Sequence, residues 1–168
     1  MTYGCQLWGQ NSNQIVKTIV LQKKAIRLMT FSHYQAHTSH LFKQLYLLKL
    51  QDIIVMSNII FTHKTLNNKT PVIFNDYFKI KTSLHQHNTI NNLNTIYSTP
   101  KGFLDIPKTN TTSGQKSIRY ICSKDWNTIL RELSLKNLDE YNKCELWLQT
   151  SKLQTVKRLL KENFIQNY

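Results

Sequence analysis

The most regular pattern of apolar and polar positions lies near the start of the chain, between residues 12 and 30. Ile15, Ile19 and Ile26 are spaced by four and seven residues, which places them on one side of a helix. Met29 continues the series three residues later. Polar and cationic side chains occupy roughly the opposite side. The pattern predicts an amphipathic helix whose apolar side packs inward.

Two further patterns predict helices in the first half of the chain. Leucines spaced by four and three residues predict a helix over about 39–48. The next helix, from residue 51 or 52 to about 67, is apolar on nearly every side, which is typical of the buried helix of a bundle. Pro71 follows, and it disfavours helical backbone in the residue before it.

The pattern changes after residue 71. Residues 72 to about 113 are rich in Asn and Thr and have no helical period, so we expect mostly loop. Helical patterns return over 117–130, as one helix or two short ones, and over 135–149 and 153–164. The predicted fold class is therefore mainly α, a small helical bundle with a long Asn/Thr-rich, mostly loop segment in the middle.

The length and the first residues bear on domain organisation. The 168 residues fit one compact unit with an N-terminal helical part (1–71), an irregular linker (72–113) and a C-terminal helical part (114–168). Trp8 and two glycines lie within the first nine residues without any lead-in, and a Trp needs apolar surface to pack against. We therefore expect the chain to be a fragment of a longer polypeptide that supplies this surface.

The charge of the chain points to a class of partner. Lys and Arg number 22 against nine Asp and Glu, a net charge of +13, and the sequence pI is about 9.8. Such an excess favours polyanions, with nucleic acid first and an anionic membrane surface second. Residues 1–75 hold eight Lys or Arg against Asp52 alone, so the front half is the better candidate for a nucleic-acid footprint.

Four of these cations belong to the first predicted helix. Lys17, Lys24 and Arg27 are spaced by seven and three residues and gather opposite the isoleucines, with Lys23 beside them. One interpretation is a surface that contacts phosphates. The other is the ordinary solvated face of a core helix, and the pattern alone leaves both open.

Other candidate chemistry is weak. The three cysteines are far apart without a CxxC pair, which argues against a disulfide framework and a thiolate zinc site and favours a reducing, intracellular setting. His85 and His87, like the group His33, His37 and His40, have no neighbouring Cys or carboxylate, so we expect no metal or other cofactor. The acids are scattered and no nucleophile–base set is visible. We expect the chain on its own to be no enzyme.

A glycine-containing stretch in the second half has some features of a phosphate-binding loop. Residues 113–117 (SGQKS) lack the first glycine and the Gly-Lys adjacency of a nucleotide-binding P-loop. A milder interpretation is that Gly114 precedes a helix start, where free N–H groups, Lys116 and Arg119 hold one backbone phosphate. The alternative is a plain helix cap. The longest apolar segment, 53–61, is too short to span a bilayer, so we expect no membrane partner.

Seven sequence blocks occur in a fixed order along the chain. They are YGCQLWG (3–9), LQKKAIRLMTF (21–31), LFKQLYLLKLQDI (41–53), NNKTPVIFNDYF (67–78), HNT (87–89), TSGQKSIRY (112–120) and KDWN (124–127). Over about residues 3–160, this order resembles the region that follows the polymerase domain in non-LTR (LINE-type) retrotransposon reverse transcriptases of the jockey-like group. Two positions depart from the pattern: Ile90 stands where the family often has Arg, and residues 129–131 (ILR) replace a leucine–proline pair.

The resemblance implies a role without chemistry of its own. The parent polyprotein would be an RNA-directed DNA polymerase with an upstream endonuclease, acting by target-primed reverse transcription in the cytoplasm and nucleus of a cell. This chain would be its non-catalytic, thumb-proximal C-terminal module, with the upstream polymerase domain and the RNA or DNA backbone as partners. The expected backbone contacts are Lys17, Lys23, Lys24, Arg27, Lys116 and Arg119. The alternatives are a scaffold that packs on the polymerase domain and a stand-alone helical nucleic-acid-binding protein.

Overall fold

The computed structural model describes residues 4, 7, 9, 12–80, 102–136 and 152–168. Its described part is mainly helical, which confirms the predicted fold class. The helices are α1 (Ser12–Met29), α2 (Ser39–Gln44), α3 (Leu50–Leu66), α4 (Thr112–Gln115), α5 (Ile118–Lys136) and α6 (Leu153–Gln166), with a 3-10 turn at Val72–Phe74.

The observed bounds differ from the predicted ones in a few places. The second helix ends at Gln44, four residues earlier than expected. The stretch expected over 117–130 forms α5 and is preceded by the short α4. Half of the predicted linker (81–101) lies outside the described residues, as does the predicted helix over 135–149 except for its first two residues, which belong to α5.

The first three helices end in the same way, each with a left-handed residue that is not glycine. These residues are Phe31, Tyr46 and Asn68, with φ between 51° and 53°. After α1, the Ser32 N–H donates to the Arg27 carbonyl at 3.0 Å and the Phe31 N–H donates to the Leu28 carbonyl at 3.3 Å. This pair of bonds is the Schellman motif, which satisfies the last carbonyls of a helix.

Packing divides the chain into two compact units. One consists of Met1–His63 together with Ser151–Tyr168, and the other of Lys64–Thr150. We call them the N-terminal unit and the middle unit. The last helix, α6, therefore groups with α1 and α2, whereas the sequence had placed it with residues 114–150.

The N-terminal unit has a core to which α1 contributes its isoleucines. Ile15 and Ile19 pack against Leu50 and Ile54 of α3. Ile26 is buried with two residues of α2, Leu41 and Phe42. Helix α6 contributes its own buried apolar residues, which are Val156, Leu160, Phe164 and Ile165.

The prediction for Met29 was wrong. Its side chain is 60% exposed, although it continues the isoleucine series. It is the last residue of α1, one turn beyond Ile26, which is buried with residues of α2.

Tyr168 ties the end of the chain to the start of α3. Its hydroxyl donates to the Asp52 carboxylate and accepts from the Lys49 backbone N–H at 2.8 Å. Its ring lies 4.0 Å from the Lys49 ammonium and edge-on to Phe42. Burial and the hydrogen bond to Asp52 raise the pKa of Tyr168 above its ordinary value.

The middle unit is held together by side chains of α5 that bond to the backbone of residues 102–104. Trp126 Nε1 donates to the Gly102 carbonyl at 3.1 Å. The Asn127 amide accepts from the Leu104 N–H at 2.8 Å and donates to the Leu104 carbonyl at 2.9 Å. Leu104 also forms an isolated antiparallel bridge with Ile80. The buried apolar residues around these contacts are Phe78, Phe103, Leu104, Cys122, Trp126, Ile129 and Leu130.

Candidate nucleic-acid interface

Three lysines of α1 have exposed side chains. Lys17 and Lys24 point away from the isoleucine side that packs against α2 and α3, whereas Lys23 lies at the edge of that side. Helix α1 contains no Asp or Glu, so no partner of opposite charge is available at the i+3 or i+4 positions of the same helix. In the part of the chain that the structure describes, none of the three makes an ion pair. Their charges therefore face solvent.

Arg27 differs from the three lysines. Its side chain is half-buried, and its Nε donates to the Ala36 carbonyl at 2.9 Å. This bond fastens the segment after α1 to the helix itself. The phosphate contact of Arg27 stays a prediction. Its hydrogen bond to Ala36 shows that the side chain also stabilises the segment after α1.

A pocket of about 260 Å³ opens beside Lys23. It lies between α1, the residues at the start of α2 and the start of α3. Its lining residues are Ile19, Gln22, Lys23, His37, Thr38, Ser39, Phe42, Lys49, Leu50 and Gln51.

The pocket adds two groups that the sequence had not placed in the site, Lys49 and His37. Lys49 is half-buried, and its ammonium donates to the Ser39 hydroxyl at 3.3 Å. Lys49 belongs to the block 41–53, but its spacing from the α1 lysines carries no signal because the two elements are brought together only by folding. Among the described residues, the Lys49 ammonium has no ion-pair partner.

Gln22 fixes one wall of the pocket. Its amide donates to the Leu48 carbonyl at 3.0 Å and accepts from the Leu50 N–H at 2.9 Å. These bonds join α1 to the first residue of α3. The spacing between Lys23, on α1, and Lys49, just before α3, is therefore set by a hydrogen-bonded link.

The outer face of α1 also exposes large apolar side chains, which the sequence pattern did not predict. The pattern assigned apolar residues to one side and cations to the other, whereas exposed apolar residues lie among the lysines. The reason is that the helix has more apolar residues than its packed stripe accommodates. The exposed residues on α1 and just after it are Val16 (60% exposed), Val20 (46%), Leu21 (62%), Leu28 (76%) and Phe31 (97%).

Lys116 and Arg119 belong to the middle unit, and both are exposed. Nearby N–H groups are occupied: the Gly114 N–H donates to Thr111 Oγ1 at 3.1 Å, and the Tyr120 N–H donates to Ser117 Oγ at 3.3 Å. This is the plain capping arrangement. The six predicted contact residues are thus divided between two units, and the structure brings only the α1 group together on one element.

Within the described ranges, the histidines and the helices bear on metal binding and on membrane insertion. No three His, Cys, Asp or Glu side chains there are placed to hold a metal ion, and His33, His37 and His40 are exposed. His85 and His87 lie outside these ranges. No helix described by the structure combines the length and the hydropathy needed to cross a bilayer.

The chain matches no protein-family model, no curated protein and no solved structure. The charge and geometry of the described residues therefore carry the functional proposal.

Proposed function

We propose that this chain is a helical module that holds nucleic acid through its phosphate backbone and has no reactive group of its own. In the setting that its sequence blocks suggest, it is the C-terminal part of a non-LTR retrotransposon reverse transcriptase and acts during target-primed reverse transcription inside the cell. The observation that carries the proposal is that three lysines of α1, Lys17, Lys23 and Lys24, are exposed and make no ion pair among the described residues, in a chain of net charge +13.

The physical basis is electrostatic. A lysine that neutralises a phosphate releases a condensed counterion, so binding weakens in proportion to the logarithm of salt concentration. Lysines that are already paired with carboxylates contribute little, because a favourable contact is lost when the new one forms. The α1 lysines have no such partner within the described residues, and α1 itself carries no acid.

The test is a triple variant, Lys17→Gln, Lys23→Gln and Lys24→Gln. Binding to single-stranded RNA and to duplex DNA is measured at several salt concentrations. We expect the slope of log K against log salt to fall by roughly two to three, at ~0.7–0.9 for each lost phosphate contact.

A matched control removes the same charge elsewhere. Lys43, Lys69 and Lys108 are also exposed, and their triple replacement by Gln changes the net charge equally. We expect a clearly smaller change in slope. An equal loss in both triple variants would assign the affinity to net charge alone, and undetectable binding by the original protein would contradict the proposal directly.

A second candidate function is favoured by the apolar side chains on the same face. Leu21 and Leu28 are 62% and 76% exposed, which suits a surface that packs on a neighbouring domain. In this alternative the module is a scaffold for the polymerase domain, and its charge serves solubility. The same triple variant separates the two functions, because unchanged nucleic-acid affinity would favour the scaffold.

A further inference from the structure

The pocket beside α1 collects two lysines and a histidine from three different segments. Lys23 belongs to α1, His37 precedes α2, and Lys49 immediately precedes α3. These three side chains lie far apart in sequence, and the fold alone places them around one opening. The arrangement therefore differs from the row of lysines along α1.

Lys49 is held in position without being neutralised. Its ammonium donates to Ser39 Oγ at 3.3 Å and lies 4.0 Å from the centre of the Tyr168 ring. The nearest acid in sequence, Asp52, accepts the Tyr168 hydroxyl, and no ion pair joins Asp52 to Lys49. A fixed ammonium with donor capacity left over is suited to an incoming anion.

The floor of the pocket is apolar. Ile19, Phe42 and Leu50 contribute to the lining, and Gln22 braces it through its bonds to residues 48 and 50. A cationic rim over an apolar floor is complementary to a ligand with an anionic end and a flat, weakly polar body. The volume of about 260 Å³ lies just under the range of roughly 300–1,000 Å³ for small-molecule sites, so one nucleotide-sized group is the upper limit.

We propose that this pocket binds a single nucleotide of an unpaired nucleic-acid strand, with its phosphate between Lys23 and Lys49 and its base toward the apolar floor. This inference rests on the proposed function and adds a preference to it. The α1 lysines contact any phosphate backbone, whereas the pocket accepts only a nucleotide that is free of its pairing partner.

The test uses the full chain and three small probes: adenosine 5′-monophosphate, adenosine and inorganic phosphate. Binding is followed by NMR through the side-chain amide signals of Gln22. We expect saturable binding of the monophosphate and binding of adenosine and of inorganic phosphate that is at least tenfold weaker. Lys23→Gln and Lys49→Gln should each lower the affinity for the monophosphate by about tenfold, which is the effect of losing one charge-assisted hydrogen bond.

The control is Lys43→Gln, which removes an exposed lysine of α2 that does not line the pocket and should leave monophosphate binding unchanged. Lys49→Gln is checked by thermal unfolding because Lys49 contacts Tyr168. If Lys49→Gln is unstable, Lys23→Gln carries the test, since Lys23 makes no side-chain hydrogen bond or ion pair in the described part of the chain.

The outcomes separate this inference from the proposed function. The nucleotide-binding proposal is overturned if adenosine binds as tightly as its monophosphate. It is also overturned if Lys43→Gln loses as much affinity for the monophosphate as the pocket variants do. Inorganic phosphate binding as tightly as the monophosphate also overturns it, because the base would then contribute nothing. If the pocket does not bind the monophosphate specifically while the α1 triple variant still loses oligonucleotide binding, the proposed function stands without the pocket inference. If a double variant that keeps Lys23, Lys17→Gln with Lys24→Gln, binds oligonucleotides normally and the pocket variants lose the monophosphate, the pocket inference stands without the other α1 lysines.

Discussion

Phe31 occupies the left-handed position that closes α1, with φ of 51°. Its side chain is 97% exposed, so burial offers nothing in return for this backbone conformation. For an L-residue the left-handed region costs roughly 1–2 kcal/mol, because Cβ approaches the following carbonyl oxygen. Glycine lacks the Cβ and adopts the same conformation freely.

Phe31→Gly should therefore stabilise the protein. We expect the free energy of unfolding to rise by roughly 0.5–1 kcal/mol. Glycine removes the strain of the left-handed conformation, but part of this gain is offset because glycine increases the conformational entropy of the unfolded chain. Urea denaturation measures the change. The matched variant Phe31→Ala keeps the Cβ and should leave stability nearly unchanged. An equal gain in both variants would point to the exposed ring and away from the backbone.

The residue scale is also where the sequence was least informative. The end of α1 was predicted from the break in the apolar pattern, but the residue that closes the helix was not, because Phe rarely adopts positive φ. Likewise, Met29 fits the isoleucine series and yet is exposed. Periodicity predicts the side of a helix on which a residue lies, but it does not predict how far along the helix the neighbouring elements extend.

At the scale of elements, Asn127 acts as a bridge between α5 and an irregular segment. Its amide bonds both the N–H and the carbonyl of Leu104, as a neighbouring strand would. All of these groups are buried. A buried backbone group that loses its partner costs about 1–3 kcal/mol, since water cannot replace the bond.

Asn127→Ala should destabilise the protein by roughly 2–3 kcal/mol, because two buried backbone groups of Leu104 lose their partner at once. Chemical denaturation followed by tryptophan fluorescence reports the change, since Trp126 is adjacent and buried. Thr128→Ala, an exposed neighbour on the same helix, serves as the control and should change stability by less than about 0.5 kcal/mol. Similar small effects in both variants would show that the bridge contributes little.

The sequence predicted most of the helices but not these links between them. Apolar spacing was sufficient for α1, α3 and α6, whose bounds agree with the predicted ones to within a few residues. The bond between Asn127 and Leu104 leaves no trace in the pattern, because it is made to the backbone 23 residues away. The same reason kept Lys49 and His37 out of the predicted site.

At the scale of the whole molecule, the N-terminal unit is closed by a contact between the last described residue and the start of α3. Tyr168 and Asp52 are 116 positions apart, and the hydroxyl of Tyr168 bonds the Asp52 carboxylate and the Lys49 N–H. Local patterns predict a helical bundle and a basic surface, but they contain nothing about this contact. The grouping of α6 with α1 and α2 follows from packing between distant segments in the same way.

The Tyr168 contact should depend on pH. Tyr168→Phe should lower the free energy of unfolding by about 1.5–3 kcal/mol at pH 7, the usual effect of losing a hydrogen bond to a charged group, with partial exposure favouring the lower end. The difference from the original protein should shrink as the pH rises above about 10, because the raised pKa of Tyr168 means that the unfolded state releases the proton first.

Urea titrations at pH 7 and near pH 11 test this dependence. Tyr34→Phe is the comparison, because Tyr34 is 72% exposed and far from α6 in sequence. Its effect on the free energy of unfolding should be small. If the difference in free energy of unfolding between Tyr168→Phe and the original protein stays constant with pH, the Tyr168 hydroxyl does not act as a proton donor in the folded state.

The mixed outer face of α1 has a practical consequence for handling the protein. Leu21 and Leu28 are exposed between lysines whose mutual repulsion keeps two copies of this face apart in dilute buffer. Concentrated salt, the usual means of stripping bound RNA or DNA during purification, weakens that repulsion and strengthens apolar association in the same step. Nuclease digestion at moderate ionic strength is therefore the gentler route to a clean, monodisperse sample.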